Sequence, residues 1–353
     1  MSYEIGWAAI NLEMPGRVPR AEFDAERHWE LVNRVMGTSV TPESSPAEKW
    51  EAGRAFMKAW NYDLRVGALI HADEISACRT QMGHAVYEAG GGDMVQPGPP
   101  AFTDPEEALR FDPWEMFGEK DRAELVRRFE QHYREQIEQG VDTVVMTGTY
   151  VTLLTGLIYI FGWEMLLTMA GLDPKRTGEV LNRYRTWMQQ YYDALAESNV
   201  PLIYSHDDIV WTQGPVFHPD WYRKYIFPNL RRLYEPILAR GKQKILFLSD
   251  GNYTQFIDDI AACGVHGFFM EPLTDMAYVA GKYGRTHFFI GNADTHVLLS
   301  GPRSAIRAEV ERCMAVGKRC PGFIFGVTNM IPCNTPVENA LYYNECYKEL
   351  CRR

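Results

Sequence analysis

The chain has 353 residues, 46% of them hydrophobic and 13% aromatic, which is enough for one large α/β barrel or for two domains. A formal net charge of -10 removes any electrostatic case for a nucleic-acid or anionic-membrane partner. The 7 cysteines are scattered without a Cys-x-x-Cys pair, and the start lacks a basic region followed by an apolar run, so a reduced, cytoplasmic protein is expected.

Residues 1–60 read as a helical extension, with Pro15 and Pro19 framing a turn before a helix over 21–37. The run 61–70 is the first strand expected. The Gly- and Pro-rich segment near 78–103 has little helical period and reads as a lid-like insertion. A helix over 119–140 ends at Gly140, a capping signal, and a strand over 141–148 follows. The Met- and aromatic-rich run 149–174 comes next. Its longest apolar stretch, 151–162, is shorter than the roughly 20 residues of a membrane span and contains Gly156.

From residue 175 onward, amphipathic helices alternate with short apolar strands. Strands are expected to start at 200, 244, 265, 286 and 322, with helices over 175–199, 219–241, 253–264 and 302–320 between them. The last helix, 335–353, carries Thr335 as its expected N-cap, Pro336 at its first position and Glu338 at its third. Such alternation implies parallel strands with crossover helices: a single (β/α)8 TIM barrel over 1–353, without an internal domain boundary.

Each of these strands ends in polar, chemistry-capable residues, and in a barrel all such ends meet on one face. His206, Asp207, Asp208, Asp250, Asn252, Glu271, Asn292, Asp294 and Asn329 are therefore expected to converge. Asp250 and Glu271, at neighbouring strand ends, are the first candidates for proton donation or metal ligation, followed by His206, Asp207 and His84. Tyr204, His84, Asp208, Asn252, Asn292 and Asn329 are candidate substrate contacts. A metal would take Asp250, Glu271 and His84. Two triples have suggestive spacing, Glu48–Asp63–His84 and Glu235–Asp250–Glu271, the second weakened by Glu235 lying mid-helix. Several of these residues have a plainer reading: one of Asp207 and Asp208 caps the next helix, Asp250 shapes a turn, and His266 and His287 at strand starts are structural.

The motifs GRVPR near the start, HDD at 206–208, GPVFHPDWYRKYIFP at 214–228, SDGN at 249–252, GNADTHVLLSGP at 291–302 and PCNTPVEN at 332–339 are similar in order and spacing to those of the uroporphyrinogen decarboxylase superfamily. The resemblance implies the (β/α)8 barrel of that superfamily. It departs from the decarboxylases themselves, which carry an arginine-rich Gln-Ala-Gly-Arg motif for substrate carboxylates that has no counterpart here. It departs also from the thiol-directed methyltransferases, whose zinc-binding His-x-Cys and later Cys are matched here by Phe247, Ser249 and Asn329, with Cys333 only in the following turn.

The segments MGHAVYEAGGGDM at 82–94 and FGWEMLL at 161–167 look most like the branch that demethylates methoxylated aromatics. That resemblance implies a corrinoid-dependent O-demethylase. It would take a methyl group from a small aromatic methyl ether to the cob(I)alamin of a partner corrinoid protein, with zinc as an optional metal and a homodimer left open. The alternatives are a uroporphyrinogen decarboxylase-like lyase and another corrinoid-dependent methyltransferase acting on a thiol or methylamine. A third is an inactive binding protein for a corrinoid or tetrapyrrole.

Overall fold

A computed structural model describes residues 2–75, 101–139, 142–327 and 329–353, together with the backbone of two short paired strands, Val86–Tyr87 and Asp93–Met94. Most of the expected lid, the Gly140 cap and His84 lie outside the described side chains.

The centre is a parallel sheet whose neighbours run in the order Phe323–Val327, Phe288–Ala293, Gly267–Met270, Lys244–Ser249, Leu202–His206 and Thr147–Thr149. Val144–Val145, just before the last of these, pairs with Leu64–Arg65. The two remaining edges meet at Arg20, which bridges Phe325 on one side and Tyr62 on the other, both in parallel sense. The seam is hydrogen-bonded: Ala21 N donates to Phe325 O at 2.9 Å, Phe325 N to Pro19 O at 2.8 Å, and Asp63 N to Arg20 O at 2.8 Å. Through the bridges at Arg20 the sheet returns to its own first edge and forms a barrel.

The segment around Arg20 is a stave of the ring and not part of a helical extension, which corrects the reading that begins the barrel at residue 61. Arg20 hides there fully buried. Its guanidinium is bound to Glu22 at 2.7 Å and lies over the rings of Trp60, Tyr343 and Tyr347. Gly326 is required at the same seam, because a Cβ there would stand 1.8 Å from Ala21 O.

Alternation along each strand divides two cores. Leu64, Val144, Met146, Leu202, Tyr204, Leu246, Leu248, Phe269, Phe288, Ile290 and Ile324 fill the barrel interior. The N-terminal helix Ser2–Ile10 adds Ala9 and Ile10 to that cluster. The opposite strand faces pack against the helices, among them Pro174–Glu197, Phe227–Arg240 and Arg303–Gly317.

Two local expectations are corrected. The helix Leu154–Leu172 is 19 residues long and apolar enough to cross a membrane by length and composition, longer than the sequence reading allowed. Residues 154–161 of it are buried in the outer core, and Gly162 breaks its dihedrals at φ 75°. The last helix begins at Val337, with Pro336 in place of Thr335 as its cap residue, and the buried Thr335 hydroxyl has no hydrogen-bond partner among the described residues.

Candidate active site

Strand alternation decides which polar ends enter the barrel mouth. On Leu202–His206, residues 202 and 204 face the interior, so 206 and 208 follow them, while 203, 205 and 207 face the helices. Ser205 accordingly bonds the hydroxyls of Tyr192 and Tyr234 in the outer core. Asp207 belongs to the same side. Its Oδ1 accepts from Leu153 N at 3.1 Å and Thr155 N at 2.9 Å, capping the start of helix Leu154–Leu172. The helix it caps precedes it in the chain, and the carboxyl group is not part of the site cluster. Full burial, opposed by those two hydrogen bonds, pushes its pKa up to about 7.

His206 is almost completely enclosed. Its Nδ1 meets Tyr150 O at 2.8 Å and its Nε2 lies 3.2 Å from Asp208 Oδ1. The imidazole stacks on the Tyr150 ring at 3.9 Å and 8° between planes, and Tyr204 lies stacked on it at 6.1 Å. Burial works against the imidazolium, but Asp208 and the two hydrogen bonds outweigh it and raise the pKa above the ordinary imidazole value. His71 continues the stack on Tyr150 at 5.3 Å.

Asp208 Oδ1 also accepts from the backbone N of Asp250 at 2.9 Å, which links the ends of two adjacent strands. The turn after Lys244–Ser249 then passes through Gly251 at φ 79°, a left-handed conformation, with a prospective Cβ only 2.5 Å from Trp211 O. Gly251 N donates to Glu271 Oε2 at 2.7 Å, and Asn329 Nδ2 donates to Glu271 Oε1 at 3.0 Å. Glu271 therefore braces the Asp250 turn against the loop that follows Phe323–Val327. His206, Asp208, Asp250, Glu271 and Asn329 form one connected group, with Tyr204 and Tyr150 beside it.

Two other candidates belong to the scaffold. Asn252 Oδ1 accepts from Thr254 N and Thr254 Oγ1, an Asx turn that starts the next helical segment. Asn292 is fully buried. Its amide donates to the carbonyls of Glu271 and Thr274, and its Oδ1 accepts from Arg312, so it holds the Glu271 loop in place and does not face the cavity. Asp294 caps the short helix Thr295–Ser300. His266 accepts from Ile245 N, and His287 packs on Phe268 and Tyr283, both away from the mouth.

Among the described residues no three His, Cys, Asp or Glu side chains converge at metal-binding spacing. Glu48 completes an exposed capping box with Ser45, Asp63 is paired with Arg17, and Glu235 lies within helix Phe227–Arg240, so neither spaced triple assembles. With His84 outside the described residues, the donors present do not complete a zinc site, and no step is assigned to a metal.

A cavity of about 430 Å³ opens beside this group. Phe23, Val66, Tyr150 and Tyr204 line it together with polar and charged groups of both signs: Asp24, Arg27, Arg65, His71, His132, Glu135, Gln136 and Gln139. These polar residues come from the turn Ala25–Arg27 and its cap, strand Leu64–Arg65 and the loop after it, and helix Arg122–Glu138 with its end. Sequence reasoning missed them: none of these residues ends an expected strand run. Tyr204 is 4% exposed, and its hydroxyl has no hydrogen-bond partner among the described residues. Burial first, then the charges of Asp250 and Asp208, raise its pKa well above the ordinary phenol value, so the phenol keeps its proton.

The chain resembles known proteins in both sequence and shape. It is 29% identical over 164 residues to a uroporphyrinogen decarboxylase of Thermus thermophilus, covering 46% of each chain. It is 27% identical over 222 residues to that of Carboxydothermus hydrogenoformans, covering 62% of this chain and 61% of the relative. The match thus spans about half to three fifths of the length of these curated relatives. A methyltransferase from Methanosarcina mazei has a similar fold, with a TM-score of 0.64 at 16% identity over 99% of this chain and 98% of that one. The family model described as Uroporphyrinogen decarboxylase (URO-D) matches residues 68–350, most of the barrel from the loop after Leu64–Arg65 onward, and the chain belongs to that family.

Proposed function

We propose that this protein is a methyltransferase that removes the methyl group of a small aromatic methyl ether and passes it to the cob(I)alamin of a corrinoid protein. The observation that carries the proposal is the cavity. At about 430 Å³ it lies at the small end of ligand pockets, roughly 300–1,000 Å³, and Phe23, Val66, Tyr150 and Tyr204 give it an aromatic and apolar patch within an otherwise polar lining. That volume suits one substituted aromatic ring better than a tetrapyrrole. The methyltransferase from Methanosarcina mazei, as a protein of the same fold, adds support.

The acceptor corrinoid supplies a strong nucleophile, so the barrel's own residues need not activate the attack. Their task is the oxygen that departs. The C–O bond breaks with its electron pair left on the aryl oxygen, and that charge must be met by a hydrogen bond or a proton. His206 has both ring nitrogens engaged and acts by holding Asp208. Asp208 in turn fixes the Asp250 turn, and Glu271 with Asn329 fixes it from the other side. The aromatic and apolar side chains of the cavity, Phe23, Val66, Tyr150 and Tyr204, orient the ring.

A second reading, decarboxylation, is favoured by the curated relatives; of the two arginines in the cavity only Arg65 is not paired with a lining carboxylate, since Arg27 pairs with Asp24. One experiment separates the two. The purified protein is mixed under anaerobic conditions with chemically reduced cobalamin and anisole or a methoxybenzoate. Methylation is read from the loss of the cob(I)alamin absorbance and the appearance of phenol. Carbon dioxide release with the ether left intact would support the second reading and contradict the first.

A further inference from the structure

Resting on the reading just given, we infer that Tyr204 is a catalytic residue: its hydroxyl donates a hydrogen bond to the aryl oxygen as the methyl group leaves. Three observations converge on it. Tyr204 lines the cavity from the barrel interior, within electrostatic reach of Asp208 and Asp250. It is 4% exposed, yet its hydroxyl has no hydrogen-bond partner among the described residues. The hydroxyl is not among the fully buried, unpaired polar atoms, so it is open to the cavity and calls for a partner there. A ligand oxygen in the adjoining cavity supplies one.

The other polar groups of the cluster are less suited to the task. His206 is held by Tyr150 O and Asp208, and Asp207 caps a helix on the far side of the strand. Glu271 accepts from Gly251 and Asn329. The nearby Asp208 and Asp250 would repel a bare phenolate, and they also keep the Tyr204 phenol protonated and therefore a donor.

The electron count is simple. The acceptor's electron pair forms the new bond to the methyl carbon, the C–O bond breaks, and its pair stays on the aryl oxygen. Tyr204 retains its own proton while its O–H bonds that oxygen. The phenolate takes a proton from water after release. A donor aimed at developing oxyanion charge is worth about 10²–10³ in rate, and its effect grows as the leaving oxygen becomes more basic.

The test uses Tyr204→Phe and two substrates, anisole and para-nitroanisole, with reduced cobalamin as acceptor. The expected loss is about 10²-fold or more for anisole and clearly smaller for para-nitroanisole, whose leaving oxygen needs less help. KM should change far less than kcat. Binding of para-nitrophenol, followed by its absorbance without any corrinoid, gives a second readout: the variant should bind the phenolate form at least about ten times more weakly. A merely structural tyrosine would lower both ethers' rates by one factor and leave the nitrophenol spectrum unchanged, and that result overturns the assignment while leaving the methyl-transfer reading intact. A wild-type protein that demethylates neither ether removes the reading and the assignment together.

Discussion

Replacing Asp207 tests whether strand parity, and not proximity in sequence to His206, decides what a strand-end carboxylate does. Its carboxyl group is fully buried on the helix side, bonded through Oδ1 to Leu153 N and Thr155 N, with Oδ2 lacking a partner among the described residues. Its pKa is displaced from 3.8 to about 7, mainly by burial. That displacement is worth about 4 kcal/mol in the linkage between protonation and folding. The sign follows from the direction. Between pH 4 and 7 the native state holds a proton that the unfolded chain has lost, so stability falls as pH rises through this window.

Asp207→Asn keeps an oxygen for the two backbone donors and removes the ionisation. Its unfolding free energy, measured by urea titration at several pH values from 4 to 8, should lack this pH dependence, and the difference from wild type should drift by about 4 kcal/mol across the window. Asp207→Ala removes the ionisation as well as the cap, so it should show the same pH drift and lie about 1–2 kcal/mol below Asp207→Asn at every pH, the usual scale for losing a helix cap. Turnover of the folded Asn variant should stay within a few-fold of wild type. A loss of turnover of about 10²-fold in Asp207→Asn at unchanged stability would show an acid–base role and refute the parity argument.

Three further outcomes are expected. Asp208→Asn removes an attraction of at most about 5 kcal/mol, taken at 3.2 Å with an effective dielectric of about 20, so the His206 pKa should drop below the ordinary imidazole value; an NMR titration of the ring shows it, and an unmoved pKa contradicts the assigned pairing. In the wild type the stability from this pair is present at low pH and lost as pH rises through the raised His206 pKa, and the variant should lose that slope. Glu271→Gln turns an amide N–H toward either Gly251 N or Asn329 Nδ2, so one charge-assisted hydrogen bond is lost; a destabilisation of about 1.5–3 kcal/mol with lowered turnover is expected from thermal melts and rate measurements on the same sample. Gly326→Ala forces a Cβ onto Ala21 O at the seam of the ring and should destabilise by about 1–3 kcal/mol or more in urea, whereas an unchanged midpoint would mean the seam is not closed as described.

The barrel was legible because each apolar strand run is short and is followed by an amphipathic helix, and that period survives any detail of packing. The polar strand ends were legible for the same reason. The stave at Arg20 was not, since Pro19-Arg20 reads as a turn, and only the distant Trp60, Tyr343 and Tyr347, together with Glu22, make a buried arginine tolerable there. Within the site, alternation already contained the separation of Asp207 from His206 and Asp208, as the inward Leu202 and Tyr204 set the phase. The Asn252-Tyr253-Thr254 pattern likewise carried an Asx-turn signal. The role of Asn292 could not be read from its own strand, because the carbonyls it bonds belong to the loop at 271–274. The cavity depends on Arg65, His132 and Gln136 meeting across a strand and a helix, which local pattern does not encode.

The measurement that bears most directly on the central claim follows the methyl carbon itself. Anisole carrying a carbon-13 label in its methoxy group is incubated with the protein and reduced cobalamin, and the label is located by NMR. The account predicts that it arrives on the corrinoid, one equivalent per phenol released, and that Tyr204→Phe slows its arrival. Label that stays in the ether while the protein decarboxylates an arene or tetrapyrrole carboxylate would contradict it.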